Sequence, residues 1–291
     1  MKLRDMWELL KQTFNSWSAD KAPRLGAALA YYAVFSLAPL LIIVVGIAGL
    51  VFGERAAQGK VVNQIKDAVG EPVALAIQDL LKNAHASGGS LTATLLGMVV
   101  LFFGATGLFV ELQDALNTIW KVTPAPDRPY LGILRGRFLS FTVVLVAALL
   151  LFISLIVSAA LSALSRWMDT MALPGGFAVW QAANALISFL FTTFLFAMVY
   201  KILPDVKICW RDVWTGALFT ALLFTLGKYL ISLYLGRSGT SSAFGAAGSL
   251  VIILLWVYYS AQIFLFGAEF THVYADRFGS RCKALSHTSA P

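Results

Sequence analysis

Long apolar stretches alternate along the chain with short charged ones, and their length decides what they are. A helix that crosses a bilayer needs about 20 mostly apolar residues. Six stretches reach that length, at about 26–52, 91–111, 138–165, 177–201, 213–235 and 244–270. They predict an all-α polytopic membrane protein, with residues 1–275 forming one domain of six transmembrane helices and 276–291 a disordered cytoplasmic tail. Outside the spans the pattern changes to helical periodicity. Leu3, Met6, Trp7, Leu10, Phe14 and Trp17 recur at three- and four-residue steps with Lys2, Arg4 and Lys11 between them, which predicts an amphipathic helix lying in the membrane interface. Between the first two spans, Val62, Ile65 and Val69 form one stripe and Val73, Ile77 and Leu80 another, separated by Gly70-Glu71-Pro72. This predicts two short external helices broken at Gly70, because proline is tolerated at a helix start and not in its interior. They either cap a cavity that opens outward or rest on the membrane surface.

Composition agrees with the pattern. The chain is 59% hydrophobic and 13% charged, against about 45–50% and about 25% in globular proteins. That balance excludes a free cytosolic enzyme, a secreted disulfide scaffold and a disordered chain. The net charge of +7 raises the question of nucleic acid, and the distribution of the basic residues answers it. Fifteen lie in the N-terminal segment, the second and fourth connections and the tail, and six lie in the opposite segments. Lys and Arg accumulate on the cytoplasmic side, so both termini are expected there. Tryptophans fit the same frame: Trp7, Trp17, Trp120, Trp210 and Trp214 fall at the expected inner boundary, and Trp167 and Trp180 at the outer one. The charge is thus accounted for by topology, and no nucleic-acid partner is expected. Cys209 and Cys282 both fall in segments expected in the cytosol, so no disulfide is expected. The first apolar run is long enough to span and is expected to stay as the first helix, without a cleavable signal.

Signatures of soluble enzymes are absent, and His85, His272 and His287 lie in separate segments. No catalytic residue, metal site or cofactor is expected. Ionisable residues in or beside the spans are the better candidates, because in hydrocarbon they must find a partner or water. Lys228 lies about two-thirds of the way across the fifth span. Its ammonium either snorkels outward past Tyr234 or faces an internal cavity, where it attracts an anionic group. A second set shares the expected inner depth: Arg24, Tyr31 and Tyr32 on helix one, Glu111, Asp114 and Asn117 on helix two, and Glu269 and His272 on helix six. These are either solvated helix ends or a binding site at the inner mouth, and Glu269 and Lys228 are not expected to pair. Pro39, mid-way along helix one, predicts a break of the kind found beside cavities. Small residues, among them Gly26, Gly104, Gly107 and Gly245, permit close helix contact.

Four separated blocks carry a family resemblance. They are Gly26-Ala27-Ala28-Leu29-Ala30-Tyr31-Tyr32 with Phe35-Ser36-Leu37-Ala38-Pro39, Leu116-Asn117-Thr118-Ile119-Trp120, Leu203-Pro204-Asp205 with Trp210-Arg211-Asp212-Val213, and Leu254-Leu255-Trp256-Val257-Tyr258-Tyr259 with Gly267-Ala268-Glu269. Together they resemble the YihY/BrkB family of bacterial inner-membrane proteins over about 17–274. The resemblance implies six spans, both termini inside and an inner-membrane location. It offers no agreed catalytic residues. Many members are labelled ribonuclease BN, a label at odds with a chain whose histidines cannot form a metal cluster. The virulence-factor label points instead to envelope resistance and transport. The expected function is a transporter or flippase for an amphipathic, anionic envelope compound such as a lipid. The alternative is a non-transporting scaffold or envelope-assembly factor that works through its small-residue faces and external helices. Expected partners are membrane lipids, with a second copy of the chain or an envelope protein as further candidates.

Overall fold

A computed structural model describes residues 3–36, 66, 70–86, 91–122, 176–206, 208–237 and 248–279. All regular structure among these residues is helical: α1 (Leu3–Ala19), α2 (22–36), α3 (Glu71–Ala86), α4 (Leu91–Ile119), α5 (Gly176–Ile202), α6 (Trp210–Arg237) and α7 (Gly248–Phe278). Three stretches among the described residues are long and apolar enough to cross a membrane, Ala185–Ile202 within α5, Trp210–Leu235 within α6, and Gly248–Phe278. The expected third span, Pro39 and the segment after 279 lie outside the described residues, as does all of the first external helix except Lys66.

Helices in hydrocarbon gain little from burying apolar surface against each other, so close backbone approach and satisfied polar groups decide the packing. The contact between α6 and α7 follows this rule in both directions. Thr220 donates its hydroxyl hydrogen to the Gly216 carbonyl of its own helix and Thr271 does the same to the Gly267 carbonyl, each at 2.7 Å. A Cβ on Gly216 would overlap the Thr271 hydroxyl, and one on Gly267 would overlap that of Thr220. Each helix therefore lends a glycine to the other's threonine. Tyr200 of α5 closes the contact, its hydroxyl donating to the Phe264 carbonyl at 2.7 Å and lying 3.1 Å from the Thr220 hydroxyl. Small residues Ala197, Ala217, Ala221, Ala261 and Ala268 fill the same three-helix core.

α1 and α3 dock at opposite ends of α7. Leu9 of α1 packs with Phe270 and Val273, whereas Val73, Ala76 and Ile77 of α3 pack with Ile252 and Ile253 of α7 and Leu235 of α6. Eighteen residues separate Ile252 from Phe270, about 27 Å along the axis and close to the roughly 30 Å of a hydrocarbon core. The α1 amphipathicity has two parts. Leu9 and Thr13 face α7, while Trp7 and Phe14 remain uncovered, at 69% and 57% exposure. For α3, the choice between capping and resting on a surface resolves into docking on the ends of α6 and α7. The break before it falls at Gly70, whose φ is 94°. There the Gly70 N–H is bonded to the Lys66 carbonyl at 2.9 Å, and a side chain would strike Ser232.

Two differences from expectation concern connections. α7 continues through Phe278, past the expected domain end at 275, and the Arg277 guanidinium donates to Glu8 of α1 at 2.7 Å. Cys209, before α6, is disulfide-bonded, against the expectation of free thiols, and its partner lies outside the described residues. That expectation rested on compartment, which carries no information on proximity.

The clasp yields a stability prediction. Gly267→Ala is expected to destabilise the protein by about 1–3 kcal/mol, read as a lowered Tm in detergent. Adding Thr220→Ala should recover only part of the loss, because the Thr220 Cβ also lies 2.8 Å from the added methyl.

Candidate functional site

The site lies at the α1 end of the bundle, where two antiparallel contacts converge. α2 packs against α4 with Ser36 on Gly104 and Tyr32 on Gly107. Continuing that register brings the start of α2 to the end of α4, and there the Lys121 ammonium donates to both carboxylate oxygens of Asp20. α2 also packs against α7, with Gly26 on Gln262. Moving six residues back on α2 and seven forward on α7 brings Asp20 to Glu269, which faces both Asp20 and Lys121.

Local backbone geometry supports this meeting. α1 and α2 are joined by Asp20 and Lys21, and Lys21 has φ 54°. α4 ends with Lys121 at the same φ, and the Val122 N–H reaches back to the Asn117 carbonyl at 2.9 Å. That six-residue closure normally takes glycine in the left-handed position. Lysine there costs about 1 kcal/mol, offset by an ammonium aimed at Asp20.

Protein cover increases inward across the cluster. The Lys121 side chain is 57% exposed and that of Asp20 10%, while Glu269 is at 0%. Neither Glu269 carboxylate oxygen has a hydrogen-bond partner, and both amide atoms of Gln262 and the indole N–H groups of Trp17 and Trp120 are also buried without one. On the next turn of α7, His272 Nε2 lies 3.3 Å from Asp276 Oδ2, and the His272 ring meets the edge of Trp120 at 5.0 Å. Asn117 clamps the linker after α5. Its amide donates to Asp205 at 3.1 Å and its carbonyl oxygen accepts the Asp205 N–H at 2.9 Å.

The expected inner set is thus only partly assembled. Glu269 belongs to the cluster, and His272 lies on the next turn of α7 against Asp276 and Trp120. Arg24 and Asp114 are exposed and Glu111 is half-buried. Tyr31 is 58% exposed and makes edge contacts with Tyr32 and Phe35. Tyr32 packs on Gly107 rather than against the acids. Lys228 is half-buried with its ammonium 5.6 Å from the Tyr229 ring centroid. The neighbouring Gly227 meets Tyr259 and Ile263, ten and six residues before Glu269. Lys228 and Glu269 therefore differ in depth by about 9–15 Å. Asp20, Lys121 and Gln262 were not among the expected residues. Gln262 could have been found as an amide inside the sixth apolar stretch; Asp20 and Lys121 looked like ordinary helix-end charges. Among the described residues, no group of three or more His, Cys, Asp or Glu could hold a metal ion.

Comparison with known proteins decides the family, since the family model described as Virulence factor BrkB matches residues 13–290. The chain belongs to the YihY/BrkB family. Curated relatives of this BrkB chain are named UPF0761 membrane proteins, and it is a membrane protein of the same kind. One from Pseudomonas paraeruginosa is 30% identical, the match covering 86% of this chain and 58% of the relative. Another, from Azotobacter vinelandii, is 30% identical over 91% and 62%. A third, from Glaesserella parasuis, is 29% identical over 78% and 76%. The BrkB chain thus spans about three-fifths of the length of the first two. No solved structure matches it significantly. The BrkB blocks seen in the sequence meet in space: Asn117 of one block clamps Asp205 of another, and Gly267 and Glu269 of a third are both buried, on different faces of α7.

The left-handed lysine gives a paired prediction. Lys121→Ala should lower Tm, because it removes the ion pair and keeps the strained backbone. Lys121→Gly should recover about 1 kcal/mol relative to Lys121→Ala. Equal melting of the two variants would show that the backbone conformation carries no strain.

Proposed function

We propose that this BrkB-family chain is a transporter or flippase of the bacterial inner membrane that moves an amphipathic, anionic envelope compound of lipid type. It does so through six spans with both termini in the cytoplasm. One observation carries the reading: Glu269 is wholly buried inside an apolar bundle, without a hydrogen-bond partner, behind an ion pair that reaches the surface. Charged groups are costly in such a place and accumulate along substrate and ion paths. Lys228, half-buried on an otherwise apolar stretch of α6, supports an anionic headgroup, which its ammonium would attract. In this topology α1, with Trp7 and Phe14 uncovered, lies in the inner interface against membrane lipid, and the Glu269 cluster forms the inner mouth.

The scaffold alternative draws less support. Gly26, Gly104 and Gly107, together with the apolar stripe of α3, are used in packing within the chain and are not available as faces for a partner.

Two measurements test the proposal. Single cysteines introduced at Lys11 and Asp79 should react with a membrane-impermeant reagent on opposite sides of intact spheroplasts, Asp79→Cys from outside. In vesicles containing purified protein, movement of a fluorescent anionic lipid between leaflets should exceed that in empty vesicles by at least about tenfold. Lys228→Ala and Glu269→Gln should each remove most of that excess. Lipid movement equal to that of empty vesicles would overturn the transport reading.

A further inference from the structure

We propose that Glu269 and Asp20 form a buried site that takes one monovalent cation, either a proton or an alkali ion, entering from the end where Lys121 is exposed.

Charge is the first argument. Asp20 and Glu269 supply two carboxylates that face each other, and Lys121 supplies one ammonium, already donating to both Asp20 oxygens. Among the described residues, no second cation is directed at Glu269. On the next turn of α7, His272 and Asp276 pair with one another, and Arg277 pairs with Glu8. From α5 and α6, the groups at the neighbouring level are the uncharged Tyr200 and Thr220 hydroxyls, which are bonded to each other and to backbone. Among the described residues, the cluster therefore carries one uncompensated negative charge when both acids are ionised. A charge without solvent or partner is not tolerated in an apolar interior. One bound monovalent cation restores neutrality, and a divalent ion would overshoot it.

Unpaired polar atoms are the second argument. Both carboxylate oxygens of Glu269 are buried without hydrogen-bond partners. Native interiors satisfy such groups, with water or a ligand where protein does not. The Glu269 and Asp20 carboxylates are oxygen donors suited to a hard cation or to a water that carries a proton. The rise in cover from Lys121 through Asp20 to Glu269 marks the way in.

As the coupling ion of transport, this cation rests on the proposed function; as a binding site it does not. The test uses the purified full chain in lipid nanodiscs, comparing wild type with Glu269→Gln and Asp20→Asn. Both substitutions are near-isosteric and both remove the uncompensated charge. If the cation is an alkali ion, replacing choline with sodium or potassium at fixed ionic strength raises the wild-type Tm. The rise should be about 5 °C at roughly 100-fold excess over Kd, and absent in both variants. If it is a proton, Tm is indifferent to the alkali ion, and the infrared band of a buried, protonated carboxyl titrates with pH in wild type and is missing in Glu269→Gln. Wild type with neither behaviour, or variants that keep it, overturns the site. Lipid movement by a wild type that lacks both signatures leaves transport standing and removes this site. Cation dependence without lipid movement does the reverse.

Discussion

Close approach of α6 and α7 at two glycine–threonine contacts is the constraint on which the rest of the bundle depends. In lipid, helices are not driven together by water, so an interface forms where backbones can come near and polar groups are already satisfied. Thr220 and Thr271 meet both demands, each spending its hydroxyl on the glycine carbonyl one turn back and filling the notch left by the glycine opposite. With that contact set, α7 presents its remaining faces in a defined rotation. One receives α1 through Phe270 and Val273, and another receives α3 through Ile252 and Ile253. A third turns Gln262 and Glu269 toward α2.

The buried carboxylate follows from this arrangement. Glu269 lies two residues from Gly267 and so on the opposite side of α7, turned toward α2 when Gly267 is set against Thr220 of α6. The Asp20–Lys121 pair that shields it depends on a second register, that of α2 on α4, set by Gly104 and Gly107. Two independent small-residue contacts thus bring an acid, a second acid and an ammonium together at one end of an apolar bundle. The same end holds α1, tied to α7 by Glu8 and Arg277. Motion of α1 would therefore be felt at the cluster.

Much of the fold is legible in the sequence, because length and hydropathy alone mark the long apolar helices, and the Gly70-Glu71-Pro72 punctuation marks the start of α3. Glu269 is legible as a carboxylate near the end of an apolar run. Its neighbours are not. Asp20 and Lys121 sit outside the spans with the composition of ordinary helix ends, and only the register of α2 on α4 brings them inward. The same blindness explains Arg24, which is exposed although only four residues from Asp20, while Tyr31 lies eleven residues from Asp20 and so at another depth. Depth can be counted along a sequence. Rotation about the helix axis depends on which small residues meet, and no single span contains that information.

The central claim is that protein cover closes progressively from Lys121 to Glu269. With Cys209 and Cys282 replaced by serine, single cysteines introduced at Lys121, Asp20 and Glu269 can be timed in their reaction with a small water-soluble maleimide. The account predicts rapid labelling of Lys121→Cys, slow labelling of Asp20→Cys, and protection of Glu269→Cys until the protein is denatured. Labelling of Glu269→Cys at the rate of Lys121→Cys would contradict it.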